Sequence, residues 1–253
     1  MKKLFGILAA LVLCLSFTSF VNVRDKGIKV LVFSKTLGYR HKSIKDGVRA
    51  IQELGAKNGF SVDYTVKSSS ISEDNLKNYK AVIFLSPTGE FLNKNQKVAF
   101  QNFIHNGGGF MGIHAATDCL HKWDWYGEMI GAYFSSHPAI QEAQLNVIDK
   151  KHLATQGLTS PWKHTDEWYN FTYTNKNINV LLTLDETSYK GGTNGDKHPI
   201  SWYHSFEGGK VFYTGLGHTK ESFTDDSFLK HLLGGINYVL SSDDVKVKSE
   251  NVK

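Results

Sequence analysis

In the stretch GGGFMGIHAATDC, residues 107–119, a glycine run feeds a short apolar strand, Phe110-Met111-Gly112-Ile113, and a histidine closes it. At a strand-to-helix corner of this kind a side chain projects above the sheet edge, close to helix amides. A Ser or Cys there would be a nucleophile. An imidazole at His114 suits a general base, a general acid or a metal ligand. Asp118 lies four residues on and would orient the ring if a helix begins at the corner. Cys119 reads as a small core residue. The plainer alternative is that His114 only bonds a neighbouring loop.

Other histidines sit beside backbone punctuation, where chain geometry is fixed and a side chain can be aimed. They are Ser136-His137-Pro138, His198-Pro199 and Gly217-His218-Thr219, with His41 at the start of the first helix. Gathered on one rim, His114, His137 and His218 would form a site for Zn²⁺ or another divalent transition metal. No compact HExxH pattern accompanies them. In Thr165-Asp166-Glu167-Trp168-Tyr169, neighbouring carboxylates in a strand face opposite ways. Glu167 is the catalytic candidate, with Asp166 pairing at the surface. Paired acids of this type flank the bond broken in glycosidases, and the alternative is a solvated turn. The aromatic content is 13%, concentrated around Trp123–Tyr126, Tyr133-Phe134, Trp162, Trp168-Tyr169 and Trp202-Tyr203. Flat apolar faces with polar handles suit sugar rings, and Trp125 and Trp168 are the indoles assigned to substrate. Any one of these rings, taken alone, reads as core.

The elements that must position these groups follow from hydrophobic pattern. Lys29–Ser34, Lys80–Ser86 and the Gly-rich stretch before His114 are continuous apolar runs, as buried parallel strands are. Ser61–Val66 is a further strand. Between them, Ile44, Val48, Ile51 and Leu54 recur at helical spacing up to a stop at Gly59, a short polar helix begins at Ser72, and Asn93 opens a helix with an Ala99, Phe100, Phe103, Ile104 face. This β-α-β-α-β-α-β order predicts an α/β, flavodoxin-like parallel sheet with helices on both faces. Ligands of such sheets bind beyond the carboxyl ends of the strands. The loops leaving those ends carry His41, Glu90, His114 and Asp118. The second half is β-rich: Ala143, Leu145 and Val147 alternate, Val180–Leu184 is apolar, and Ile200–Phe206 with Lys210–Thr214 flank a Glu207-Gly208-Gly209 turn as a hairpin. Thr224-Asp225-Asp226 caps a last helix bearing Phe228, Leu232, Leu233, Ile236, Val239 and Leu240.

The chain has 253 residues and a net charge of +5, with no basic stripe of the kind nucleic acids demand, so a nucleic-acid partner is not expected. Residues 1–22 read as a signal peptide, with Lys2-Lys3 ahead of an apolar Leu4–Phe17 segment too short to span a bilayer comfortably. The mature protein is expected to be exported to a periplasm without stable membrane insertion; a lipid anchor on Cys14 or an uncleaved N-terminal anchor is the alternative. Export would leave Cys119 as the single thiol, with no internal disulfide. Residues 28–240 form a single domain and 241–253 a polar tail. Oligomeric state is not encoded in any legible pattern.

The runs GGGFMGIHAATD, SHP, DEWY, HPISWYH and GLGHTKESF, in that order and with YRHKSI near the start, resemble the ThuA-like (trehalose utilisation) family over about residues 28–240. The resemblance implies the fold of class I glutamine amidotransferases, with His114 at the corner their Cys nucleophile occupies, so Cys-dependent glutamine hydrolysis is not expected. It also implies a carbohydrate role beside sugar oxidoreductases, in breakdown of disaccharides through 3-keto intermediates. Two departures stand out: a Lys is inserted in Asp196-Lys197-His198-Pro199, and Phe223 follows GHTKES where Tyr is more common. The resulting expectation is an exported hydrolase or lyase acting on a (3-keto-)disaccharide or glycoside. Its catalytic set is His114, Asp118 and Glu167; its substrate contacts are His41, Glu90, Trp125, Trp168 and His198. A small-molecule carbohydrate is the expected partner, a sugar oxidoreductase of the same pathway a further one, and no nucleotide cofactor is expected. The alternative is a non-catalytic carbohydrate-binding protein of the same fold.

Overall fold

The computed structural model describes residues 27–241; the expected signal peptide and the tail beyond Ser241 lie outside the described residues. The chain runs β1 (Lys29–Phe33), α1 (Ile44–Asn58), β2 (Ser61–Thr65), α2 (Glu73–Leu76), β3 (Ala81–Leu85), α3 (Lys94–His105) and β4 (Gly109–Ile113). After a 3₁₀ turn at His114–Thr117 come α4 (Asp124–Ile130), β5 (Ala132–Ser136), β6 (Gln141–Val147), β7 (Trp162–Asp166), β8 (Asn170–Tyr173), β9 (Asn179–Asp185), β10 (His198–Phe206), β11 (Gly209–Thr214) and α5 (Asp226–Leu240).

Nine strands make one sheet in the order β2-β1-β3-β4-β11-β10-β9-β6-β7, and β5 pairs with β8 in a separate ribbon. The first five are parallel, β11 joining β4 in register Val211↔Phe110 to Thr214↔Ile113. From β10 to β7 each neighbour is antiparallel. The β-rich second half therefore extends the parallel sheet rather than forming a layer of its own. Alternation along this extension points β9 and β7 the same way as β4 and β11. Their carboxyl ends open on one common edge.

Strands β1, β3 and β4 are buried on both faces, which is why they read as unbroken apolar runs. Phe84 stacks on Phe100 of α3 at 5.4 Å, and Phe110 meets Phe100 edge-on at 5.6 Å. Each such side chain is fully buried and contributes roughly 1.5–3 kcal/mol relative to exposure. Leu85, one residue on, faces Gly47 of α1 on the opposite side of the sheet, together with Phe223. Helices begin and end where the sequence supplies caps. Gly59 takes φ 79° and returns its N–H to Gly55, Asn93 and Gln96 form a reciprocal capping box, and Asp225 accepts from the Phe228 N–H at 2.7 Å. The glycine run before β4 serves helix packing: a Cβ on Gly109 would lie 2.2 Å from the Val239 carbonyl oxygen of α5. Among the described residues no helix is long and apolar enough to cross a membrane.

Candidate functional site

Four strand ends deliver the site. His41 follows β1, His114 follows β4 directly, Glu167 follows β7 and His218 follows β11. One ligand-type atom from each lies within 4.8 Å of the others. The three imidazoles form a near-equilateral triangle with ring centroids 4.8, 5.0 and 5.1 Å apart, each pair close to perpendicular.

His114 is fully buried and sits at φ 50°, in the left-handed region that a non-glycine residue seldom adopts. Its backbone carbonyl accepts the Tyr213 hydroxyl at 2.9 Å. Its Nδ1–H donates to the Gly215 carbonyl at 2.8 Å. A carbonyl can only accept, so Nδ1 carries the proton and Nε2 presents a lone pair to the cluster. That Nε2 lies 3.2 Å from His218 Nδ1 and 3.4 Å from Glu167 Oε2, and His218 Nδ1 lies 2.9 Å from the same oxygen. Burial alone would raise the Glu167 carboxyl, but the His114 and His218 imidazoles set against it, when protonated, hold it well below the usual carboxylate range. Burial first, and then His114 and His218, push the His41 imidazole down to about 2. It is therefore neutral, and its buried Nδ1 has no hydrogen-bond partner.

This donor set fits a divalent transition metal. Bonds of about 2.0–2.2 Å to nitrogen and oxygen in a tetrahedral site imply ligand–ligand edges of about 3.3–3.5 Å. The His114–His218 and His114–Glu167 separations fall close to that value, the His218–Glu167 separation is shorter at 2.9 Å, and His41 offers a further neutral ring nitrogen to the same cluster.

Asp166 supports the cluster from below. It is fully buried, and its carboxylate accepts the N–H groups of Gly217 at 2.7 Å, His218 at 3.0 Å and Thr219 at 3.3 Å, together with the Ser222 hydroxyl at 3.0 Å. Burial opposes its ionisation, yet His164, His114 and the Gly217 amide hold its carboxyl below the ordinary value. The expectation that Asp166 pairs at the surface is thus corrected. The alternation did separate the two acids, sending Glu167 into the site and Asp166 under the turn that carries His218.

Above the cluster a cavity of about 320 Å³ is lined by Tyr39, His41, Asp118, Phe134, His137, Glu167, Tyr169 and His218. His137 is outside the four-group set. Its Nδ1 lies 3.1 Å from Glu167 Oε1 and 2.9 Å from the Pro138 carbonyl, both acceptors, so Nδ1 carries the proton and Nε2 is the basic nitrogen. Three other assignments change. Asp118 faces the cavity but does not orient His114; the chain turns as a 3₁₀ segment there, and Asp118 pairs with His121 at 3.3 Å. Glu90 accepts the Lys122 N–H at 2.9 Å, closing a loop beside the cavity without lining it. His198 is buried behind the site, its Nε2 2.8 Å from the Tyr169 carbonyl and its Nδ1 2.8 Å from Glu186 rather than near Asp196.

Neither indole assigned to substrate reaches the cavity. Trp168 is fully buried and donates to the Gln141 carbonyl at 2.9 Å. Trp125 donates to Glu207 at 2.7 Å, beside the β10–β11 turn at the amino end of β11. Cys119 is buried at 0% exposure, and burial pushes its thiol up, as its reading as core requires. The aromatic walls are instead Tyr39, Phe134 and Tyr169. Phe134 and Tyr169 lie within aromatic clusters of the sequence, whereas Tyr39 stands outside them, as the first residue of the YRHKSI run that leads into His41.

Comparison with known proteins places this arrangement. The Trehalose utilisation (ThuA) family matches residues 29–239, nearly all of the described chain. The chain belongs to the ThuA family. Among solved structures, a ThuA-like protein of Bacteroides uniformis is 25% identical with a TM-score of 0.73, covering 86% of this chain and 93% of that one. A ThuA-like protein of Parabacteroides merdae is 21% identical with a TM-score of 0.72, covering 85% and 90%. The β-galactosidase of Rahnella sp. R3 shares the fold alone, at 14% identity and a TM-score of 0.57, over 83% of this chain and 31% of that one. No curated protein matches the sequence.

Proposed function

We propose that this ThuA-family chain is an exported enzyme of carbohydrate breakdown that acts on a 3-keto-glycoside by elimination, with hydrolysis as the net result when water adds. Its site would hold a divalent transition metal through His41, His114, Glu167 and His218. The observation that carries the reading is the convergence of these four groups from four strand ends within 4.8 Å, beneath a cavity of about 320 Å³. That volume is at the lower end of the range for small-molecule pockets, roughly 300–1,000 Å³, and suits one sugar ring. Export rests on the Lys2-Lys3 and Leu4–Phe17 pattern.

A bound ion supplies Lewis-acid stabilisation of negative charge on a substrate oxygen. The chain's own residues do the rest. A ketone at C3 acidifies the C2 proton. His137 Nε2, freed as a base because Nδ1 donates to Glu167 and Pro138, takes that proton. The C2–H electrons form the C2=C3 bond and charge moves onto the C3 oxygen. When the carbonyl re-forms, a C1=C2 bond is made and the C1–O bond breaks. The departing alkoxide recovers the proton from His137. Tyr169 and Phe134 wall the cavity and offer flat apolar faces to the ring.

The test is incubation of the full chain, loaded with Zn²⁺ or Mn²⁺, with methyl 3-keto-glucoside in D₂O, followed by NMR. Deuterium appearing at C2 with enone or methanol release, and its loss in His137→Gln, is the expected result. No exchange and no product with the metal-loaded protein overturns the proposal.

A further inference from the structure

Leu37 and Tyr39 are the most exposed large apolar side chains among the described residues, at 59% and 61%. Both stand on the β1–α1 loop, and Tyr39 is part of the cavity lining. Exposure here does not come from a loose segment. The Leu37 N–H donates to the Thr88 carbonyl at 2.8 Å, the Gly38 N–H to Thr88 Oγ1 at 3.1 Å, and Thr88 Oγ1 to the Tyr39 carbonyl at 3.0 Å. The Thr88 N–H returns to Lys35 at 3.1 Å. The loop is clamped to its neighbour on both sides of the exposed pair.

The Tyr39 ring lies parallel to His218, at 7° and 6.5 Å, and edge-on to His41 at 4.9 Å. Its hydroxyl has no hydrogen-bond partner among the described residues. An apolar plane with a free polar tip, held rigid at the edge of a one-ring cavity, is suited to a second flat-faced ring with hydroxyls at its rim.

We infer that Tyr39, with Leu37 beside it, is a platform outside the cavity for the ring on the leaving-group side of the bond, and sets how strongly a substrate with a second ring is preferred over one without. This rests on the reading of the cavity as a sugar site and makes Tyr39 a specificity-determining residue.

Two arms test it. In the first, kcat/KM is compared for 3-keto-trehalose and methyl 3-keto-glucoside. The wild-type preference for the disaccharide should fall about five- to tenfold in Tyr39→Ala, and should be largely kept in Tyr39→Phe, which retains the ring. Leu37→Ser should lower it in the same direction. The second arm needs no turnover: calorimetric titration of the full chain with trehalose and with glucose. If neither keto-sugar reacts but trehalose binds more tightly than glucose, and Tyr39→Ala removes the difference, the platform stands while the elimination reaction falls. A wild-type disaccharide preference that is absent, or that survives Tyr39→Ala in both arms, overturns the inference.

Discussion

The Nδ1–H of His114 is fixed 2.8 Å from the Gly215 carbonyl, across the junction of β4 and β11. This bond sets the tautomer, and the tautomer aims the Nε2 lone pair at Glu167 and His218. A backbone carbonyl thus does what a carboxylate does for many metal-ligating histidines. His114→Asn tests the relation without disturbing the corner, because Asn tolerates the φ 50° backbone that His114 adopts. The expected outcome is a folded protein, with a circular dichroism spectrum like wild type, that has lost metal retention and turnover of the 3-keto-glycoside. Retained turnover would remove His114 from the mechanism.

Asp166 touches neither cavity nor substrate, yet it accepts three successive amides of the turn bearing His218. Asp166→Asn turns one acceptor oxygen into a donor facing donors. Groups that support metal ligands in this way typically matter by about 10–100-fold in metal affinity, so a loss of that size in Zn²⁺ affinity is expected. Stability should fall by about 2–4 kcal/mol in urea titration. An unchanged Zn²⁺ affinity would show that the turn holds His218 without it.

Stability should decline below neutral pH. Burial pushes the His231 imidazole down to about 4, while its Nδ1–H donates to the Ala154 carbonyl at 2.7 Å. In the unfolded chain the same ring titrates near the ordinary value of about 6.5. The folded state therefore excludes a proton that the unfolded state takes up. Stability from this group is intact above about pH 6.5 and is lost progressively as pH falls toward 4, by about 3 kcal/mol in all. His204, also pushed down by burial to about 4, acts in the same direction. Urea midpoints should be lower at pH 5 than at pH 7.5, with a shallower difference in His231→Gln. Equal midpoints in the wild type would contradict the account.

The parallel strands and their helices were legible because each carries one unambiguous pattern: unbroken apolar runs for β1, β3 and β4, helical periodicity for α1, and caps at Asn93 and Asp225. The rim was legible for the same reason, since residues following such strands share one edge. What stayed hidden depends on contacts distant in sequence. Gly215 lies just past the end of the neighbouring strand β11, and no pattern announces its carbonyl as the partner of His114. Asp118 failed as the orienter because i+4 spacing has meaning only in an α-helix, and the chain leaves β4 through a left-handed residue into a 3₁₀ turn. Trp125 and Trp168 were misassigned because composition cannot say which side of the sheet an indole faces. The partner of His198 is Glu186, twelve residues before it, and nothing in the Asp196-Lys197-His198-Pro199 stretch announces that pairing.

The glycine run before β4 makes a separate prediction. Gly109→Ala would place a Cβ 2.2 Å from the Val239 carbonyl oxygen, and backbone cannot step aside as a side-chain tip can. A loss of about 1–3 kcal/mol or more is expected from such overpacking, measured as a lower urea midpoint. A midpoint equal to wild type would show that α5 has room to shift.

In the proposed site His41, His114, Glu167 and His218 would hold one ion between them. The most direct test is the metal content of the full chain, purified without chelator and then dialysed against Zn²⁺, measured by mass spectrometry of the elements. Close to one Zn²⁺ per chain is expected, lost in both His218→Ala and Glu167→Gln while each variant remains folded. A wild-type protein that retains no Zn²⁺, Mn²⁺, Co²⁺ or Ni²⁺ above the level of the Glu167→Gln variant would contradict it.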